Sequence, residues 1–352
     1  MKRVKVGILG ATGMVGQRFV QLLENHPWFE VTSLCASQKS AGKLYSQAAV
    51  WRTSPKIPSY AASLRVELCK PIIDTQIVFS GLDSSVAGEI EDDFANNGYI
   101  VVSNSKNHRM HKDVPLTIAE VNPGHLSLIT AQKKRRKSKG FIVTNPNCTT
   151  IGLAMVLKPL HDAFGVKRVS VCTMQALSGA GYPGVAALDA IDNVVPYIDD
   201  EEEKGEIEPL KLLGKISVGM VLNAPIKISA STNRVAVKDG HMESVEIDFV
   251  NKPSLNQVIK VLKDFKGDTA KLNLPSAPKN PIIYMPDVDR PQPVLDRDIN
   301  GGMSIVVGRI RKSNVFDVKL TLLVHNTIRG AAGAAILNAE LLKAKGLDFA
   351  KS

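Results

Sequence analysis

The sequence predicts a two-domain α/β protein, with a doubly wound parallel sheet at the N-terminus and an α+β second domain built on a mixed sheet. Three observations predict it. The chain has 352 residues, more than one ordinary core accommodates. Short apolar runs alternate with helical spacing as far as about residue 148. Beyond that point the strand-like segments alternate and are rich in valine. That pattern suits an antiparallel or mixed sheet with one face solvated or covered by a partner.

Residues 3–9 read as a first buried strand, followed by glycines at 10, 13 and 16. Val15, Phe19, Leu22 and Leu23 give residues 14–25 helical periodicity. Further strands are expected at about 30–36, 76–80, 99–103 and 141–144, and a helix over 149–164. In the second half, strands are expected at 168–175, 242–250, 304–311 and 317–325. Helical spacing recurs over 255–265. The acidic stretch 197–209 reads as an exposed loop or helix start. The Ala- and Leu-rich stretch 330–342 reads as a final helix able to pack back on the first domain.

Composition excludes several classes. No apolar run reaches the roughly 18–20 residues of a membrane span, so no membrane partner is expected. The short apolar stretch at the start runs into a glycine loop and reads as a strand rather than a signal peptide. Cys35, Cys69, Cys148 and Cys172 are scattered without metal-ligand spacing, which predicts no metal site and reduced thiols in a cytoplasm. The burial usual for a lone cysteine suits Cys35, Cys69 and Cys172. The net charge of +10 fits small anionic substrates as well as nucleic acid. Aromatic residues make up only 5% of the chain, so stacking platforms are scarce. Lys133–Lys137 is therefore read as a solvated helix end, and no nucleic-acid partner is expected.

Gly10-Ala11-Thr12-Gly13-Met14-Val15-Gly16 stands between a strand and a helix. Glycines permit the tight turn and let backbone N–H groups approach a pyrophosphate at the helix N-terminus. This predicts a Rossmann-type dinucleotide site. Enzymes that use NAD place a carboxylate at the end of the second strand. Here the segment is Ser37-Gln38-Lys39-Ser40-Ala41-Gly42-Lys43, without an acid and with hydroxyls and two lysines. That favours NADP, through its 2′-phosphate.

In Thr144-Asn145-Pro146-Asn147-Cys148-Thr149-Thr150 the strand ends, proline turns the chain and a helix begins. N–H groups at a helix start stabilise a thiolate and can hold an oxyanion. Cys148 is thus the candidate nucleophile. A thiol nucleophile needs a base. His241, after Gly240 and between two strand-like runs, is a candidate, although the spacing suits a surface histidine equally.

Five segments occur together and in order: the glycine loop, Asn147-Cys-Thr-Thr150, Gln175–Gly184, Arg234 with Gly240-His241, and His325–Gly333. Jointly they resemble the aspartate-β-semialdehyde dehydrogenase family, in its archaeal and fungal branch, over nearly the whole chain. The resemblance implies NADPH-dependent reduction of L-4-aspartyl phosphate to L-aspartate 4-semialdehyde and phosphate, in lysine, threonine and methionine biosynthesis. It implies Cys148 as nucleophile, His241 as acid/base and Gln175 as the residue that orients substrate. Arg234 would clamp the α-carboxylate. Glu208 and Lys211, read as the family's E-x-x-K, would meet the amino group and the phosphate. Asn107 and Arg109 would also bind phosphate. Cofactor contacts would come from Gly10 to Val15, from Ser37, Lys39 and Ser40, and from Ser178, Gly179, Gly181 and Asn326. The branch often carries an arginine where Gln38-Lys39 stands here. The implied units are 1–148 plus 326–352 for NADP and 149–325 for catalysis and dimerisation, in a homodimer or homotetramer.

Three alternatives stand beside this reading. A malonyl-CoA reductase of the same fold is opposed by Asn147 and the Glu208/Lys211 pair. N-acetyl-γ-glutamyl-phosphate reductase fits the segments less well. A basic nucleic-acid-binding Rossmann protein is opposed by the pairing of Cys148 with His241.

Overall fold

The computed structural model describes residues 3–53 and 56–347; the outer ends of the first expected unit, 1–2 and 348–352, lie outside them. Six parallel strands form the first sheet: β1 (Val4–Leu9), β2 (Phe29–Ala36), β3 (Val66–Leu68), β4 (Ile77–Ser80), β5 (Ile100–Ser103) and β6 (Phe141–Thr144), in the order β3-β2-β1-β4-β5-β6. Every residue of β4, β5 and β6 is buried. Runs such as Ile100-Val-Val must be apolar on both faces because helices cover both. The flanking helices are α1 (Met14–Leu22), α2 (Ser84–Asn96) and α3 (Leu128–Arg136). The strand order reverses between β1 and β4, and a doubly wound sheet opens its ligand crevice at that point.

Helix α4 (Cys148–Phe164) leads from β6 into the second sheet. That sheet comprises β7 (Val166–Gln175), β8 (Val194–Pro196), β11 (Lys227–Val235), β12 (His241–Phe249), β13 (Ile282–Met285), β14 (Ile305–Lys312) and β15 (Val318–Val324). Its order is β13-β14-β15-β12-β7-β11-β8, with parallel and antiparallel pairs. A separate hairpin pairs β9 (Lys215–Ser217) with β10 (Met220–Leu222). The expected parallel-plus-mixed architecture is borne out.

Alternation along β7 and β12 sorts their side chains. Val169, Val171, Val245 and Ile247 join Leu153, Met155, Val156 and Leu157 of α4 in one core. The opposite face exposes small polar residues, and Cys172 lies there rather than buried, because its pleat position points away from α4. Two more helices, α5 (Glu201–Leu212) and α6 (Leu255–Asp264), complete this half, and α7 (Gly333–Ala344) returns to the first. Ala335, Ile336, Leu337 and Leu341 of α7 pack with Val6, Phe19, Phe29 and Phe79.

The acidic stretch 197–209 starts a helix, as one expected reading had it, but departs from the expected exposure. It is largely helix α5, with Glu201, Glu208 and Lys211 buried. The polar stripe faces inward because the turn before Cys148 and the loop after β5 present donors and carbonyls to it. Lys133–Arg136 form the last turn of α3, where cations complement the helix dipole. Arg135 and Arg136 are engaged by Asp113 and Asp92.

Candidate active site

Sheet register assembles the site. β7 ends at Gln175, and its parallel neighbour β11 sets Arg234 directly beside it. On the other side β12 begins at His241, next to the Met242–Met174 pair. Cys148 arrives separately, at the first position of α4. The Asn147 side chain caps that helix by accepting from the Thr149 and Thr150 N–H groups. The result is a sulfur at a helix start, with Cys148 Sγ 3.2 Å from His241 Nε2.

The tautomer of His241 follows from its other nitrogen. Nδ1 lies 2.9 Å from the Ala176 backbone N–H, which can only donate, so Nδ1 accepts and the ring proton sits on Nε2, facing the sulfur. Burial and the nearby Arg234 and His325 charges push His241 down to about 3. The ring is therefore neutral near pH 7. Burial also pushes the half-buried Cys148 thiol up to about 12, helped by Glu201 and opposed by Arg109, Arg234 and Lys204.

Gly179 packs against this pair. A Cβ there would sit 2.9 Å from Arg234 Nη1 and 3.0 Å from His241 Cε1, so only glycine lets the 177–181 turn close over them. Arg234 also donates to the Ala176 carbonyl at 2.8 Å. Gln175 donates to Glu201 at 3.2 Å, and the Asn147 amide reaches the same carboxylate at 2.9 Å. Lys204 salt-bridges Glu201 from one turn along α5.

A cleft of about 790 Å³ runs from this cluster along the first sheet, a size suited to a cofactor. Thr12, Gly13, Met14, Val15, Lys39 and Ser40 line it from the first sheet. Cys148, Ser178, Gly179, Gly181 and Asn326 line its inner end, and Arg109 its flank. Gly10 (φ +75°) and Gly16 make the turn. A Cβ on Gly16 would lie 2.2 Å from the Gly10 carbonyl oxygen. Asn326 is fixed by the Gly240 N–H and by Ser178 Oγ.

Residues 5–129 match the family described as "Semialdehyde dehydrogenase, NAD binding domain", and residues 157–329 match "Semialdehyde dehydrogenase, dimerisation domain". A curated aspartate-semialdehyde dehydrogenase of Archaeoglobus fulgidus is 52% identical over 97% of this chain and 98% of its own. The chain belongs to the aspartate-semialdehyde dehydrogenase family. A family member from Candida albicans is 46% identical over 97% of this chain and 99% of its own. The crystal structure of a Candida albicans aspartate semialdehyde dehydrogenase with NADP superposes with a TM-score of 0.92, at 44% identity, over 99% of this chain and 100% of that one. A Vibrio cholerae aspartate semialdehyde dehydrogenase II complexed with ASA gives 0.77 at 26% identity, over 97% and 99%.

Within this family site, several expected residues stand elsewhere. Lys211 does not face the cleft: its ammonium donates to the carbonyls of Arg109, His111 and Val114. Glu208 is buried behind Arg109 and Asn147, with both oxygens engaged. Asn107 is exposed and anchors its loop by donating to the Ser84 carbonyl. Its neighbour Asn104 lines the cleft instead. Gly10 and Ala11 shape the glycine turn without lining the cleft. Ser37 starts a turn, its carbonyl accepting from the Ser40 and Ala41 N–H groups. Glu201 and Lys204 were missed, although Glu201-Glu-Glu-Lys204 carries the same E-x-x-K spacing. Lys43, Arg52 and Gly330 on the cleft wall were missed too; Lys43 stood in the polar segment that signalled NADP.

Proposed function

We propose that this chain catalyses the NADPH-dependent reduction of L-4-aspartyl phosphate to L-aspartate 4-semialdehyde and phosphate through a thioester on Cys148. The observation that carries the reading is the Cys148–His241 contact at the inner end of a dinucleotide cleft. The residues present fit NADP: a glycine turn opens α1, no acid follows β2, and Lys39 and Lys43 on the cleft wall offer cations to a 2′-phosphate. The Candida albicans structure holds NADP by description. Bound NADPH supplies the hydride that reduces the acyl group.

The chain's own residues do the rest. The Cys148 sulfur bonds to the acyl carbon, the C–O bond to phosphate breaks, and phosphate leaves with that electron pair and takes up the proton the thiol gives up. After reduction the C–S bond breaks, the sulfur departs with that electron pair, and a proton from water restores the thiol. His241 acts here as a neutral Nε2–H donor to the sulfur and to the carbonyl oxygen as it gains charge. Arg234 holds the α-carboxylate and Gln175 orients the reacting carbonyl. Glu201 and Lys204 form an ion pair on α5 near the thiol. Both charges act on the thiol. Arg109 binds phosphate from the opposite flank.

We assign units 1–148 plus 326–352 and 149–325, and a homodimer or homotetramer. Exposed Leu188, Ile191, Tyr197 and Val218 in the second half of the chain support association. Four free cysteines suit the reducing cytoplasm. The step would feed lysine, threonine and methionine synthesis.

The test follows NADPH absorbance with aspartate semialdehyde, NADP and phosphate. Phosphate-dependent turnover that disappears in Cys148→Ala, with a KM for NAD far above that for NADP, is expected. Turnover with malonyl-CoA alone would overturn the assignment.

A further inference from the structure

Behind the residues that face Cys148 stands a second polar rank. Register sets Arg234 beside Gln175, with His241 at the start of β12. Two residues further into the sheet, on the same face of each strand, Thr232, Thr173 and Glu243 stand side by side. Only one step beyond them, at Ala230, Val171 and Val245, does the apolar core begin.

Glu243 is 0% exposed. A Cβ on Gly152 would lie 3.1 Å from its Oε1, so the carboxyl lies against the backbone of α4 about one turn from Cys148. A cavity of about 10 Å³ opens here. Thr150 of α4, Glu201 of α5 and the rank of Thr232, Thr173 and Glu243 line it. Each of them is buried. That volume admits one water, which needs two to four polar partners. Three buried oxygens offer them. Both carboxyl oxygens of Glu243 and Thr150 Oγ1 have no partner among the described residues, a condition rare for buried polar groups.

The charge of Glu243 follows from its neighbours. Among the residues lining the cavity, Glu201 is the one other titratable group. His241 stands two residues earlier on the same face of β12, Cys148 starts the helix above, and β15 sets Leu322 opposite. Glu201 is satisfied by Asn147, Gln175 and Lys204. Two carboxylates around one small cavity disfavour each other's charge, so the unpartnered one keeps its proton. Burial pushes Glu243 the same way.

We propose that Glu243 is a positioning residue for the nucleophile: as a neutral acid it donates to one enclosed water, which donates in turn to Thr150 Oγ1 and braces the first turn of α4, where Cys148 stands. The inference rests on the reading of Cys148 as the nucleophile.

The experiment compares the wild type with E243Q, E243L, T150V and C148A. It measures kcat and the KM values for phosphate and NADP in the NADP-reducing direction. It also follows the alkylation of Cys148 by iodoacetamide from pH 7 to 10, with mass spectrometry to tell Cys148 from the exposed Cys172. E243L removes the donor and should lower kcat about tenfold or more, as a displaced nucleophile does, with both KM values little changed. T150V breaks the same bridge from its other end, so the E243L/T150V pair should be no worse than E243L alone. A carboxamide can still donate to the water, so E243Q should keep kcat within about threefold of wild type. Its alkylation profile should coincide with that of the wild type. A role in stability alone would leave kcat of folded E243L and T150V untouched, and values within twofold of wild type overturn the inference. So does an E243Q profile moved to lower pH, which would show that a negative charge had been removed. Crystals of the wild type should show a single water within hydrogen-bond reach of Glu243 and Thr150, and a cavity without it overturns the bridge. If E243L does not fold, T150V and E243Q decide. C148A separates the two readings: turnover kept there removes the nucleophile and this inference with it. Turnover lost in C148A beside unaffected E243L and T150V removes only the role given to Glu243.

Discussion

Substituting Gly330 by alanine displaces the nucleophile by an amount the structure specifies. Gly330 lies in the π-helical turn Ile328–Ala332, against the start of α4. A Cβ built there falls 2.9 Å from Cys148 Cβ and 3.2 Å from both its Cα and its carbonyl oxygen. Carbon atoms in contact settle at about 3.5–4.0 Å, so the two backbones must part by roughly 0.6–1.1 Å. Neither side yields easily. Arg329 holds the glycine segment through two hydrogen bonds to Glu120, at 2.8 and 2.7 Å. The Asn147 cap and α5 hold Cys148. The 3.2 Å contact between sulfur and His241 is the one that gives. A misplacement of about 1 Å costs on the order of a hundredfold in rate. Gly330→Ala should therefore lower kcat roughly 10- to 100-fold, and overpacking should cost about 1–3 kcal/mol of stability. NADPH formation gives the first quantity and urea unfolding the second. A variant with kcat within twofold of wild type and unchanged stability would refute the packing argument.

Two further outcomes concern buried charge. Arg329→Met leaves the Glu120 carboxylate buried and unpaired, which should cost about 3–5 kcal/mol; the Glu120→Leu/Arg329→Met double variant should recover part of that, and urea midpoints showing no recovery would argue against a paired charge. Burial raises the Glu243 carboxyl well above its ordinary value, and neither oxygen is hydrogen-bonded among the described residues. Its folded form keeps a proton that the unfolded chain releases above about 4.5, so its contribution to stability is full below that pH and falls as pH rises, by up to ~1.4 kcal/mol per unit. Glu91, pushed up to about 7 by burial, acts with the same sign only as far as that pH. Glu243→Gln should accordingly flatten the fall in stability above pH 7, and parallel wild-type and variant curves from pH 5 to 9 would sink this account.

The parallel sheet was legible because its strands must be apolar on both faces and its turns must contain glycine. Both demands write themselves into Ile77-Val-Phe, Ile100-Val-Val and the 10–16 loop. Cys148 was legible for a similar reason: strand end, proline and helix start leave a polar turn that an ordinary buried thiol does not occupy. His241 was only half legible. Its spacing fitted a surface histidine equally well, and what decides it is the register that sets β12 beside β7. The tautomer was beyond reach, because it depends on a backbone N–H at Ala176, 65 residues away.

Helix α5 shows why the rest was hidden. Glu201, Lys204, Glu208 and Lys211 recur at i, i+3, i+7 and i+10, the spacing of one helical face, and polar residues in that pattern ordinarily mark the side turned to water. Here the face is turned to the catalytic turn and to main-chain carbonyls. Carbonyls carry no side-chain signature, so nothing in residues 109–114 announces that a lysine is needed opposite them. Two E-x-x-K pairs with the same spacing then compete for one role, and sequence has no means of ranking them. Geometry shows what each pair does in the folded chain. Lys211 has spent all three donors on the loop. The upper pair shares its field with the sulfur, and the lower pair fixes the arginine beside it. One half of the helix thus acts on the nucleophile's charge and the other on the loop that carries Arg109.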